Sequence, residues 1–305
     1  MKLSPNSKNA IKQFNHINSL SISRNIDDGF LELFLLPINA RNFDYDCLSD
    51  NLMESVADYA LSWKLREMYK DKAMTLSKKA REKFKNYKQN EGELGELLLF
   101  CFLEGHLEAP KILTKLELKT SNKMYVNGSD GVHLKKISNQ KYHLIFGESK
   151  TYKELSSAFE NAFKSISEFK NELNSKGETK SGIMFEKGLI SSYIEQATFD
   201  KDDEEILNLL LYPENKPNSK IQLDDAFSIF IGYEIDISEE QQKYTSEEFP
   251  SKIKEKIIAQ IEEYKNKIYD FIKKYKLLGY TFYIFIMPFT DINENRKKIL
   301  KRVLE

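Results

Sequence analysis

The chain has 305 residues, 41% of them hydrophobic and 30% charged, so it can bury a sizeable core and is not a disordered polyelectrolyte. Its 46 basic and 47 acidic side chains leave a net charge of −1, so overall charge does not argue for a nucleic-acid partner and any basic surface must be local. Two cysteines, Cys47 and Cys101, speak against a disulfide framework or a zinc site and fit a reducing cytoplasm.

The opening residues, 1–20, lack the apolar stretch of a signal peptide. The longest strongly apolar run, residues 280–289, is about half the length a membrane helix needs. A soluble cytoplasmic protein is expected. Residues 29–36 are strand-like, though too apolar for clean alternation. Residues 51–70 predict a helix with Val56, Tyr59, Ala60 and Trp63 on one face. A lysine-rich helical stretch, 77–88, sets Lys78, Lys79, Arg81, Lys83, Lys85 and Lys88 against a single acid, Glu82, with Phe84 and Tyr87 interleaved. Such a run can track a phosphate backbone, dock an acidic partner, or simply be a solvated face.

The middle third carries more information. Residues 91–103 predict an apolar helix that opens with Glu93 and Glu96. Residues 113–120 alternate as a strand does, and residues 124–132 contain Asn-Gly-Ser-Asp-Gly. A turn at Ser138-Asn139-Gln140 leads to a strand over 142–148. Leu155, Ala158, Phe159, Ala162, Phe163, Ile166 and Phe169 then recur at helical spacing. In the last third, 183–211 is expected to be helical with an acidic break, 227–237 a strand, 251–278 a long helix, 280–289 a buried strand and 293–304 a closing helix. The fold class is α/β or α+β, with strands flanked by helices. Residues 1–90 read as an N-terminal region packed on a main domain of 91–305. No Pro/Gly/Ser linker divides them, so one continuous unit is equally consistent.

Gly147-Glu148-Ser149-Lys150 carries the chemistry. Residues two apart on a strand share a face, so Glu148 and Lys150 project together while Ser149 faces away. A carboxylate there can hold a hard cation such as Mg²⁺ or Mn²⁺. A lysine can orient water and offset charge at a phosphorane. Glu-x-Lys by itself decides nothing, since it recurs at Glu117, Glu168, Glu178, Glu214 and Glu263. Only Glu148 ends an apolar strand that follows a Gly-Ser-Asp-Gly turn. Asp130, in that turn, could be a plain turn residue. A hairpin between the two strands would bring it to Glu148, and two carboxylates sharing a site invite a divalent cation. Glu93 and Glu96 share one helix face near its start. Helix-end charge is the plain explanation; a further metal ligand or outer-shell group is the sharper one, with Glu96, beside Leu97, the more inward-facing. His133 and His143 read as ordinary strand residues. Arg296, Lys297, Lys298, Lys301 and Arg302 form a weaker basic cluster with the same ambiguity as the first.

Three motifs in this order, Gly-Glu-Leu-Gly-Glu-Leu-Leu-Leu from Gly92, Gly-Ser-Asp-Gly-Val-His from Gly128, and Phe-Gly-Glu-Ser-Lys from Phe146, resemble the HamA family, nuclease subunits of the Hachiman antiphage defence system. The matching block spans about residues 91–169. The resemblance implies a restriction-endonuclease-like PD-(D/E)xK core with a mixed central sheet, core motifs within 91–170, and DNA as substrate. By position it makes Asp130, Glu148 and Lys150 the catalytic set, with Glu96, or Glu93, as the helix acid, and Asp130, Glu148 and Glu96 as metal ligands. It also implies a superfamily 2 helicase partner, HamB, that restrains the nuclease. Two other readings stand beside it: a catalytically silent restriction-like scaffold within a helicase complex, and RNA as the substrate, since the site would do the same chemistry on either backbone.

Overall fold

In chain order the elements are α1 (Ser7–Lys12), β1 (Asn15–Ser21), β2 (Gly29–Leu35), a ribbon of β3 (Ile38–Asn39) and β4 (Asn42–Phe43), α2 (Tyr45–Ala60), α3 (Trp63–Met68), α4 (Ala73–Arg81), α5 (Glu93–Gly105), β5 (Lys111–Thr114), β6 (Gly131–Lys136), β7 (Lys141–Tyr152), α6 (Leu155–Asn171), α7 (Ile183–Tyr193), α8 (Glu204–Leu211), β8 (Gln222–Glu234), α9 (Ser238–Lys243), α10 (Phe249–Lys274), β9 (Thr281–Phe289) and α11 (Ile292–Leu304). The computed structural model describes residues 1–22, 29–84, 92–114, 116, 128–174, 176–214 and 220–305. Parts of four expected segments, at 85–88, 91, 115 with 117–120, and 124–127, lie outside the described residues.

Seven strands form one mixed sheet in the order β1-β2-β9-β8-β7-β6-β5. The four central strands run parallel, and the pairings β1 with β2, β6 with β7 and β5 with β6 are antiparallel. Central parallel strands are buried on both faces and must be apolar throughout. That explains why 281–289 shows no alternation: all but Thr281 are buried. β1, at the edge, is mostly exposed and carries the polar sequence Asn-His-Ile-Asn-Ser-Leu-Ser. Because β2 pairs with β9, the N-terminal ninety residues supply strands to the same sheet as the motif block.

Helices cover both faces. On one, Phe102 of α5 stacks on Phe285 of β9 and Phe230 of β8, with centroids 5.2 and 5.9 Å away. On the other, Phe163 of α6 meets Phe282 of β9 at 5.5 Å and Phe271 of α10 at 5.8 Å. Burying each such ring is worth about 1.5–3 kcal/mol. The long helix packs through Ile253, Ile257, Ile261, Ile268 and Ile272, and carries Pro250 in its first turn, where a missing N–H costs nothing.

The helix expected over 51–70 is two helices. Asp44 caps the first, accepting from the Cys47 N–H at 2.9 Å, so it starts at Tyr45. Leu61 turns extended, and Ser62 caps a new helix by accepting from Leu65 N–H at 3.3 Å. The strand expected to end at Glu148 continues to Tyr152, because β8 pairs with it along its whole length. Among the described residues no helix is long and apolar enough to cross a membrane.

Candidate active site

Asp130 sits where β6 begins. The register sets Gly131 opposite Gly147, which brings Asp130 beside the Glu148–Ser149 step of β7. There it replaces a rung of the ladder. Its backbone N–H donates to the Gly147 carbonyl at 2.8 Å, and its Oδ2 accepts from both the backbone N–H and the hydroxyl of Ser149, at 2.7 and 3.0 Å. The expected hairpin therefore forms, and it joins Asp130 to β7.

The pleat of β7 decides what faces what. A Cβ added to Gly147 would meet Leu99 of α5 at 2.9 Å, and one added to Gly95 of α5 would meet Thr151 Oγ1 at 3.0 Å and Ser149 Cβ at 3.2 Å. Residues 147, 149 and 151 thus face α5 at close quarters. Phe146 faces the other way, onto Phe169 of α6 at 5.3 Å. Alternation puts Glu148 and Lys150 on Phe146's side. They form an ion pair, Lys150 Nζ to Glu148 Oε1 at 2.5 Å, with both side chains largely buried. Burial disfavours the Lys150 ammonium, but the Glu148 carboxylate, with Asp130 and Tyr152 adding, more than offsets this and raises the lysine's pKa. The charged form is the resident one.

The helix that carries Glu93 and Glu96, α5, packs against residues 147, 149 and 151 of β7. Glu96 is buried, as its apolar neighbours suggest, and so is Glu93. Glu96 Oε2 accepts from the Tyr59 hydroxyl at 2.9 Å. Burial, then the negative charge of Glu96 and of Asp130, then the hydrogen bond to Glu96 and the charge of Glu93, push the Tyr59 phenol well above its ordinary value. Asp130 is thus the carboxylate felt on both sides, by Tyr59 and by Lys150. Among the described residues no three His, Cys, Asp or Glu side chains are grouped to hold a metal ion.

Three participants were not evident in the sequence. Tyr59 reads there as one more apolar-stripe residue of α2. Ser149 reads as facing away; it does, yet it is the residue Asp130 grips. Glu186, on α7, accepts from the Ser129 N–H at 2.5 Å and from the Ser129 hydroxyl at 2.6 Å, next to Asp130. No short motif marks any of them.

The histidines are structural. His133 is buried, bonds the Ala109 carbonyl at 2.8 Å, and is pushed down by burial to a pKa of about 4, so it is neutral. His143 Nδ1 lies 2.7 Å from the Tyr283 hydroxyl. Of the basic run, Lys78 is exposed and Lys79, Arg81 and Lys83 are half-buried, whereas Lys85 and Lys88 lie outside the described residues. Lys79 stands over the Tyr69 ring, and Arg81 donates to the Glu305 carbonyl at 3.1 Å. Phe84, at the end of this run, packs on Tyr59 with centroids 6.0 Å apart. In the C-terminal cluster Arg302 is tied to Asp46 and Asp50 at 2.6 and 2.9 Å, and Arg296 is buried.

One family model, that of HamA, matches residues 9–303, nearly the whole chain. No curated protein matches it.

Proposed function

The chain belongs to the HamA family and is thereby a component of the Hachiman antiphage defence system, and from this premise we propose that it is a metal-dependent DNA nuclease with a PD-(D/E)xK core, controlled by the helicase HamB. The observation that carries the reading is the joining of Asp130 to the Glu148-Ser149-Lys150 segment, with Glu148 and Lys150 paired at 2.5 Å.

Asp130 and Glu148 offer hard oxygen donors and no sulfur or imidazole. That suits Mg²⁺ or Mn²⁺, and Mg²⁺ usually keeps several waters and takes only one or two protein carboxylates beside substrate phosphates. The bound ion would lower the pKa of its water and absorb charge on the phosphate. Lys150, kept protonated by its neighbours, would stabilise negative charge that develops at the scissile phosphate. Glu96, held by Tyr59, would supply a further metal ligand or hold an outer-shell water. The basic helix α4, followed by Phe84 packed on Tyr59, would offer Lys78 and Lys79 to the DNA backbone.

Two observations favour the alternative, a catalytically silent scaffold within the helicase complex. Glu148 is already compensated by Lys150, and three-carboxylate grouping is absent among the described residues. A cleavage assay separates the two readings. Supercoiled, linear and single-stranded DNA, with RNA in parallel, are incubated with Mg²⁺ or with EDTA, with and without the helicase. Mg²⁺-dependent cutting of DNA supports the nuclease. DNA left intact under every condition, by protein that binds the helicase, supports the scaffold.

A further inference from the structure

We infer that Glu186 is the positioning residue for Asp130: it fixes the turn from which Asp130 reaches the site. This rests on the nuclease reading above. Glu186 lies in the first turn of α7, 57 residues from Ser129, and is buried with 5% exposure. A buried carboxylate is costly unless hydrogen bonds compensate it. Both of its oxygens are used on one residue, Ser129, which donates its backbone N–H to Oε1 at 2.5 Å and its hydroxyl to Oε2 at 2.6 Å. Hydrogen bonds to an ionised carboxylate are the strong class.

Gly128 makes the approach possible. A Cβ at that position would lie 2.1 Å from Glu186 Oε1, so any side chain there would displace the carboxylate. Gly128 and Ser129 of the Gly-Ser-Asp-Gly turn therefore have a partner of their own, separate from β7. Asp130 is held from both ends. Glu186 grips the residue before it, while Gly147 and Ser149 grip Asp130 itself. Removing Glu186 leaves the bonds of Asp130 to β7 in place and releases the turn at Ser129, so the loss should fall on placement and not on the presence of the carboxylate. Groups that orient a ligand from one step behind typically change metal affinity by about 10–100-fold when removed.

The test uses the full chain in three forms, Glu186→Ala, Glu186→Gln and Ser129→Ala, against wild type and Glu148→Ala. Mn²⁺ binding is measured by calorimetry without DNA, the Mg²⁺ half-saturation of cleavage is measured with the helicase partner supplied if cutting requires it, and unfolding midpoints are recorded. Weakening of Mn²⁺ binding and a rise in Mg²⁺ half-saturation of about tenfold or more are expected for Glu186→Ala. Smaller shifts are expected for Glu186→Gln, which keeps one acceptor for the Ser129 N–H, and for Ser129→Ala. Lowered unfolding midpoints with unchanged metal affinity and half-saturation would show a merely structural role and overturn the inference. If Glu186→Ala does not fold, the same two readings on Glu186→Gln and Ser129→Ala decide it. Loss of Mn²⁺ binding in Glu148→Ala with none of the three turn variants affected sinks this inference alone. Wild type that neither binds Mn²⁺ nor cuts sinks it together with the nuclease reading.

Discussion

Asp130 takes the place of a backbone acceptor for Ser149: one carboxylate oxygen receives both the N–H and the hydroxyl of that residue, at 2.7 and 3.0 Å. A candidate catalytic acid is thereby built into the edge of the β6–β7 ladder and does not hang from a free turn. Ser149→Ala removes the hydroxyl bond and keeps the backbone one. A hydrogen bond to a charged group contributes about 1.5–3 kcal/mol, so urea unfolding should show a loss toward the lower end of that range, with reduced cleavage. An unchanged midpoint would mean that the hydroxyl does not hold Asp130 in solution.

Tyr59→Phe removes the donor to Glu96 and leaves a buried carboxylate short of a partner, at a cost of about 1–3 kcal/mol near neutral pH. The pH dependence has a definite sign. The native phenol is raised well above its ordinary value, so its contribution is fully present below pH 10, about where an unfolded tyrosine ionises, and is lost as pH rises toward the folded value. Above about pH 10 the wild type should therefore lose up to about 1.4 kcal/mol per pH unit more than Tyr59→Phe does. Parallel stability curves for the two proteins in that range would contradict the burial of Tyr59 among these acids.

Gly95→Ala tests the approach of α5 to β7. Alanine gains about 1 kcal/mol over glycine inside a helix. Here the new methyl would sit 3.0 Å from Thr151 Oγ1 and 3.2 Å from Ser149 Cβ, so these packed side chains must give by a few tenths of an ångström. The substitution should bring no net stabilisation, and Gly95→Val should be plainly destabilising. A stabilised Gly95→Ala protein would place α5 further from the sheet.

Glu148→Gln tests what holds Lys150 charged. Without the carboxylate, desolvation acts against fewer opposing charges and the lysine's pKa should fall. At pH 9 the amine of Lys150 should then react faster with an acylating reagent than in wild type, read by peptide mass spectrometry. Equal labelling would mean that Glu148 does not control this ammonium.

Much of this arrangement was legible in the sequence, for reasons that differ by element. Patterned helices such as α6 and α10 show their buried stripe because one face meets the sheet and the other meets water. β7 shows Glu148 and Lys150 because strand alternation is rigid. The break at Leu61–Ser62 was not legible: Ser62 looks like any polar helix residue until its capping bond to Leu65 is seen. β1 was missed because an edge strand needs no apolar run, and the strand start at Gln222 because its first residues are polar and partly exposed. Tyr59 and Glu186 are joined to the site only through tertiary contacts spanning 37 and 57 residues, which no local spacing encodes. The resemblance of the motif block supplied the family, which the match over 9–303 then established.

Lys78→Ala with Lys79→Ala addresses the basic helix. If both touch phosphates, the slope of log affinity for DNA against log salt should flatten by about 0.9 for each phosphate interaction removed. An unchanged slope would make α4 a solvated face or a protein-docking surface.

The most direct measurement compares wild type with the Glu148→Ala, Lys150→Ala double variant in DNA cleavage with Mg²⁺, both proteins folded and both supplied with the helicase where cutting requires it. Wild type should degrade DNA and lose this with EDTA, and the double variant should leave it intact. Equal cleavage by the two proteins would contradict the assignment of the β7 pair as the centre of the active site.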